Sequence, residues 1–317
     1  MGTTESKQAA PAESILEEVI DSLDMPQKKL PCKLFYDKHG SYLFDLISTQ
    51  DEYYITRTEI SILKDNIEEI SEFIGDNNPV LIELGSGSNK KIRIILDNIP
   101  APSAYIPVDI SEEYINKAER LRDDYPELKI IPILADYTKP FSLPELNFDY
   151  ERITVYYPGS TIGNFEPGKA REFLKRIANM CGSGSGILVG FDLKKDPNIL
   201  ENAYNDKSGV TAEFNLNILR NLNNTLGSNF DLGKWSHLAF YNTDHGRIEM
   251  HLKSLYDQKV RLDGRVFSFR RNETIHTENS YKYSIDDFSS MVVDFYSIEK
   301  FWMDTENKFC MLYMIAK

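Results

Sequence analysis

The run Val80-Leu-Ile-Glu-Leu-Gly-Ser-Gly-Ser-Asn-Lys-Lys91 constrains this chain most. It is an apolar stretch carrying one acid, broken by two closely spaced glycines and followed by a helix-like segment. Val80 to Leu84 suits a strand buried on both faces, as in a parallel sheet. Gly85 and Gly87 let the backbone turn sharply and approach a ligand with no Cβ in the way. Such a loop alone fits an ordinary strand-to-helix turn equally well, so its surroundings decide. A Rossmann dinucleotide loop needs a third glycine three residues after the second, where helix and pyrophosphate meet. Lys90 stands there, which disfavours NAD, FAD and a nicotinamide oxidoreductase.

Ala104-Tyr-Ile-Pro-Val-Asp-Ile110 predicts a second strand ending on Asp109. It lies at the spacing of about twenty residues at which an acid can accept both hydroxyls of a ribose. Leu128 to Ala135 predicts a third strand closing on Asp136-Tyr137. There a carboxylate can accept adenine amino hydrogens while the next backbone N–H meets a ring nitrogen. Either acid alone could be a helix N-cap. Together, three strand ends of this kind point to an adenosyl ligand without a pyrophosphate, S-adenosylmethionine.

The rest of the composition narrows the partners. With 317 residues, 41% of them hydrophobic, the chain can bury one large core or two modest ones. No segment approaches the roughly eighteen apolar residues of a membrane span, and the start lacks an apolar signal region. Gly2 with Ser6 touches the myristoylation pattern, without polybasic support. Cys32, Cys181 and Cys310 are odd in number and widely spaced, as expected of reduced cytoplasmic thiols. A net charge of −13 argues against nucleic-acid or anionic-membrane partners and leaves a small cationic or zwitterionic substrate unrepelled. The five histidines show no H-x-x-x-H or similar spacing, so no metal is expected.

Strand-like and helix-like segments alternate from 79 to 192, the pattern of a parallel sheet wound with helices. After Asp136 come a strand over Arg152 to Tyr157, a helix over Pro167 to Cys181 and a strand over Gly186 to Leu193. Residues 197 to 227 then read as helical, and 235 to 283 as antiparallel strands with turns at Asp244-His-Gly246 and Asp263-Gly264. A helix from Ile285 to Tyr296 and strands over Ser297 to Met303 and Phe309 to Ala316 finish the chain. Residues 58–193 and 284–317 are therefore expected to form the cofactor-binding domain. Residues 10–57 and 194–283 would form a second, α+β lobe over the carboxyl ends of the strands, where ligands of open α/β sheets bind. Residues 1–9 are expected to be disordered.

Seven motifs in order then carry a family resemblance. They are Leu34-Phe-Tyr-Asp37 with Gly40-Ser-Tyr-Leu-Phe-Asp45, Glu52-Tyr-Tyr-Ile-Thr-Arg-Thr-Glu59, Glu83-Leu-Gly-Ser-Gly87 and Gly159-Ser-Thr-Ile-Gly-Asn164. Ala203-Tyr204 with Gly209-Val-Thr-Ala-Glu-Phe-Asn215, Arg247-Ile-Glu-Met250 and Thr277-Glu-Asn-Ser280 complete them. From Leu30 to its end the chain resembles the histidine-specific methyltransferases that make hercynine, histidine betaine, on the route to ergothioneine. Ile55 stands where many members carry proline, and Tyr137 where phenylalanine is common.

The resemblance implies a class I methyltransferase, with a Rossmann-like doubly wound sheet, a terminal antiparallel hairpin and a second α+β substrate-binding lobe. It implies transfer of methyl groups from S-adenosylmethionine to the α-amine of L-histidine, leaving S-adenosylhomocysteine. By motif, Gly85, Lys91, Asp109, Asp136 and Tyr137 match the cofactor contacts. Tyr36, Phe44, Tyr53, Gly159, Asn164, Tyr204, Met250, Glu278 and Ser280 match the substrate pocket, with Tyr36 and Asn164 as the catalytic candidates. The expected protein is a monomeric cytoplasmic enzyme with a small-molecule substrate.

Residue chemistry is compatible with these roles. An amide at Asn164 can donate to a carboxylate and accept from an amine, although Asn164 could equally cap a helix before Pro167. Tyr204 can donate to the same carboxylate, or be a core tyrosine with a satisfied hydroxyl. Glu278 and Ser280, two apart in a strand, point to one face with about 7 Å between their Cα atoms. That pair suits an imidazole, and isolated it would be a solvated strand face. Tyr36, Phe44 and Tyr53 read as core aromatics or as pocket walls that attract a quaternary ammonium. Relatives that methylate tryptophan or a prenylated tryptophan are the alternative within the fold; a non-catalytic S-adenosylmethionine-binding protein is the alternative outside it.

Overall fold

The computed structural model describes residues 12–75 and 77–317. The expected disorder of residues 1–9 and the Gly2 pattern lie outside the described residues. The strands in chain order are β1 (Val80–Leu84), β2 (Ala104–Asp109), β3 (Lys129–Ile130), β4 (Ile133–Leu134), β5 (Ile153–Tyr157) and β6 (Gly186–Asp192). They continue with β7 (Trp235–Asn242), β8 (Arg247–Ser254), β9 (Gln258–Leu262), β10 (Arg265–Phe269), β11 (Thr274–Tyr281), β12 (Tyr296–Met303) and β13 (Phe309–Ala316).

The main sheet runs β12-β13-β6-β5-β1-β2-β3, with β4 also on β2. All its pairings are parallel except those of β13, which is antiparallel to both β6 and β12. This is the doubly wound sheet with a terminal antiparallel hairpin. Its strands alternate between two cores. Leu81, Tyr105, Tyr156, Leu188, Met311 and Tyr313 face the N-terminal helices, while Ile82, Ile106, Val155, Val189 and Leu312 face the helices Pro167–Cys181 and Ile285–Val292. Burial on both faces explains why these strands read as continuous apolar runs.

Three local expectations are corrected. The strand expected over Leu128 to Ala135 is split into β3 and β4 because Pro132, which has no N–H, sits between them. The helix from Ile285 stops at Val292, and β12 begins at Tyr296. The helical stretch 197–227 is two helices, Pro197–Ala203 and Val210–Leu226. Asp206 separates them, its carboxylate accepting from the N–H groups of Val210 at 2.8 Å and Thr211 at 2.7 Å.

The segment between β6 and the final helix forms a three-stranded antiparallel sheet, β11-β8-β7, and the hairpin β9-β10. The N-terminal segment packs on it. Leu30 N–H donates to the His276 carbonyl at 3.0 Å and His276 N–H to that of Lys28 at 2.9 Å, a parallel bridge along β11. Asn221 donates to the Leu34 carbonyl at 2.7 Å and Phe35 stacks on Phe214 at 4.5 Å. These contacts fix the turn Cys32–Phe35 and the helix Lys38–Ile47 above the ends of β1, β2 and β5.

Candidate functional site

A cavity of about 400 Å³ opens at those carboxyl ends. Gly85 (φ 78°) and Gly87 (φ 52°) form its floor in backbone conformations that favour glycine. A Cβ on Gly85 would come within 3.4 Å of the Tyr137 hydroxyl. Asp109 closes β2 and accepts from Ser111 N–H at 2.8 Å and, at the limit, from Gly87 N–H at 3.5 Å. Burial pushes its carboxyl up to about 6 against the pull of these backbone donors. Ser111 holds the N-cap position of the helix Glu112–Glu119, and Asp109 lines the cavity.

Asp136 accepts from Thr138 N–H at 3.1 Å and pairs with Lys33 at 3.4 Å. Glu83, the acid before the glycines, is 2% exposed and accepts from the Tyr105 hydroxyl. Burial raises its carboxyl to about 8 despite that bond. Ser86 Oγ is buried in the loop with no partner among the described residues. An orphan hydroxyl, a glycine cradle and two acids at strand ends fit an adenosyl ligand. All five sequence-assigned cofactor residues, Gly85, Lys91, Asp109, Asp136 and Tyr137, line this cavity.

Lys91 is not free. Its ammonium pairs with Glu59 at 2.5 Å, and Glu59, wholly buried, also accepts from Gly159 N–H at 3.0 Å. Glu59 thereby ties the cofactor loop's helix to the Gly159-Ser160 turn after β5.

A second, smaller chamber adjoins the first and shares Tyr36, Phe44, Tyr53, Gly159, Thr161 and Asn164 with it. Tyr204, Met250, Glu278 and Ser280 close its far end. Its side wall is a chain of edge-on aromatics: Tyr36 to Phe44 at 5.8 Å, Phe44 to Tyr53 at 6.3 Å and Tyr53 to Tyr204 at 6.2 Å. Asn164 ends the turn Thr161–Asn164, whereas Glu166 holds the cap position of the next helix, so the capping alternative for Asn164 fails. Burial raises the Tyr36 phenol well above its ordinary range. A phenol so held is neutral here and can accept or donate a hydrogen bond.

Glu278 and Ser280 lie on β11 opposite Met250 and Ile248 of β8, after a bulge at Thr277. No hydrogen bond occupies the Glu278 carboxylate among the described residues. Burial pushes it up to about 7, with the Lys282 charge opposing. Behind this wall lies an ionic core. Asp192, at the end of β6, accepts from Tyr54 at 2.8 Å, Lys195 at 2.6 Å and Lys282 at 3.0 Å. Lys282 also donates to Ser280 Oγ at 2.7 Å, and Tyr204 donates to the same oxygen at 2.8 Å.

On the other face of the small sheet, ligand-type atoms of Glu249, His251 and His276 lie within 4.8 Å of one another. Sequence spacing did not reveal this cluster, because strand pairing opposite His251 brings in His276. Arg247 already holds Glu249 at 2.7 Å, and His251 donates to the same carboxylate at 2.9 Å. His276 donates Nε2–H to the Glu278 carbonyl at 3.0 Å, which anchors the bulge that aims Glu278. Burial lowers both imidazoles, keeping them neutral.

All of the residues named from sequence meet at this double cavity. Tyr54 and Glu59 stood in a quoted motif without a role, and Asp192, Lys195 and Lys282 were missed. Lys282 had a signal: it continues the alternate spacing of Glu278 and Ser280.

The family model described as histidine-specific methyltransferase, SAM-dependent, matches residues 15–316. The chain is 38% identical over 280 residues to the histidine N-alpha-methyltransferase of Mycolicibacterium smegmatis, covering 86% of this chain and 85% of that protein. It is 34% identical over 276 residues to the protein of the same name from Mycobacterium tuberculosis, covering 85% and 84%. Ergothioneine biosynthesis protein 1 of Neurospora crassa is 32% identical over 281 residues, which is 85% of this chain and 31% of that protein.

Proposed function

The chain belongs to the histidine-specific, S-adenosylmethionine-dependent methyltransferases, and from that membership we propose that it methylates the α-amine of L-histidine three times to give hercynine, the first step toward ergothioneine. The observation that carries the substrate is the unpartnered Glu278 carboxylate beside Ser280 at the closed end of the chamber. An acceptor next to a hydroxyl matches an imidazole's N–H and bare nitrogen. A ring without them would leave buried polar atoms unpaired.

In this reading residues 58–193 and 284–317 form the cofactor domain, and 10–57 with 194–283 the substrate lobe. Asp109 accepts the ribose hydroxyls, Asp136 the adenine amino group, and the Tyr137 N–H meets the ring. Bound there, S-adenosylmethionine supplies an activated methyl on its sulfonium. Asn164 and Tyr204 hold the substrate carboxylate, while Glu278 and Ser280 hold the ring.

Between these anchors the amine must arrive as free base. Desolvation by Tyr36, Phe44 and Tyr53 lowers its pKa, and neutral Tyr36 orients it by accepting an N–H. Tyr36, whose phenol is held by burial well above its ordinary range, orients the amine or passes its proton to water. The aromatic wall also attracts the growing quaternary ammonium, worth about 0.5–2 kcal/mol. Among the described residues no helix is long and apolar enough to cross a membrane. The three unpaired cysteines fit a cytoplasmic setting.

Calorimetry with S-adenosylhomocysteine present tests the proposal. Histidine and dimethylhistidine should bind and tryptophan should not; tryptophan binding as tightly as histidine would sink it.

A further inference from the structure

Glu278 and Ser280 on β11 and Lys282 just past its end alternate and share a face, yet only the first two reach the chamber. The Lys282 side chain is fully buried behind the wall. Its ammonium donates to Ser280 Oγ at 2.7 Å and, at 3.3 Å, to the Tyr204 hydroxyl, while Asp192 holds it from behind at 3.0 Å. An ammonium has three donors and no acceptor. Both hydroxyls therefore accept from Lys282. Tyr204 also gives its proton to Ser280 Oγ at 2.8 Å. Both lone pairs of Ser280 are then filled from behind, and its own proton has the chamber to point into.

Resting on the reading that this chamber holds a histidine ring, we propose that Lys282 is a positioning residue that fixes Ser280 as a hydrogen-bond donor. The chamber then accepts a neutral imidazole, with N–H on Glu278 and bare nitrogen on Ser280. If Tyr204 turns its proton to a substrate carboxylate, Lys282 still faces both oxygens and both protons still point forward. One buried cation thus sets the hydroxyl that faces the bare ring nitrogen to donate. Without it, the Ser280 proton can turn back to Tyr204 and the ring nitrogen loses its donor.

The test compares L-histidine with β-(pyrrol-2-yl)alanine, which keeps an N–H and lacks the bare nitrogen, by calorimetry on the S-adenosylhomocysteine complex. The wild type should prefer histidine by roughly tenfold or more. Lys282→Met should weaken histidine by roughly tenfold and leave the pyrrole ligand unchanged, bringing the two affinities together. Asp192 keeps Lys195 and Tyr54 as partners in that variant. Ser280→Ala should behave alike, and the double variant should lose nothing further. An equal loss for both ligands, as from a merely structural lysine, or no loss for histidine, overturns the proposal.

If Lys282→Met does not fold, nitrogen NMR of ring-labelled histidine on the wild type decides. One protonated and one bare ring nitrogen is expected; a doubly protonated ring overturns it. Failure of the wild type to bind histidine at all would instead overturn the assigned substrate.

Discussion

At the residue scale, two buried carboxyl groups set the pH response. Glu278 is pushed up to about 7, so it is neutral below that pH and ionised above it. The ionised form makes the stronger, charge-assisted bond to an imidazole N–H, so histidine affinity should fall as pH drops through about 7. Glu278→Gln should bind histidine weakly and lose that step; calorimetry between pH 6 and 8.5 would read it, and an unchanged step in the variant would discard the assignment. Asp109, raised to about 6, gives the same sign for the cofactor. S-adenosylhomocysteine should bind less well below about pH 6. Asp109→Ala should lose about 1.5–3 kcal/mol for each charge-assisted bond to the ribose, and normal binding would refute the role. Asp109 and Asp136 were legible in the sequence because strand ends put them where a nucleoside lies. Lys282, Asp192 and Glu59 were not, because a buried ion pair depends on segments far apart in sequence, such as β6 and the end of β11.

At the element scale, the turn Thr161–Asn164 carries the central amide and is packed directly on β11. A Cβ on Gly163 would sit 2.7 Å from the Tyr281 carbonyl oxygen. Gly163→Ala must therefore push the turn from the strand. It should cost about 1–3 kcal/mol in a urea melt and raise KM for histidine, because Asn164 moves with the turn. Gly168, one residue into the next helix, has nothing within 4 Å of its Cβ position. Gly168→Ala should be neutral or stabilising by up to about 1 kcal/mol. Equal effects of the two substitutions would contradict this packing account. Element types were legible wherever periodicity was strong: the helix Pro167–Cys181 and the strand Phe309–Ala316 fall on their predicted bounds. The strand expected across Pro132 was overcalled because hydrophobicity there outran the backbone's supply of N–H donors. The β11 bulge, which decides how Glu278 is aimed, leaves no mark in local composition.

At the scale of the whole molecule, the two cavities share a wall, so ligands of both bear on the same fold. S-adenosylhomocysteine at a hundred times its Kd should add about 2.7 kcal/mol of stability, a rise of several degrees in Tm for a chain of this size. Histidine should add a further increment to that complex and tryptophan none; equal increments would count against the Glu278 and Ser280 pocket. The central claim is the identity of the methyl acceptor. Its most direct measurement is mass spectrometry of L-histidine incubated with the enzyme and methyl-labelled S-adenosylmethionine. The predicted product carries all its labels on the α-nitrogen, ends as the trimethylated betaine and leaves the ring nitrogens bare. Labels on the ring, or no S-adenosylhomocysteine released when histidine is added, would contradict it.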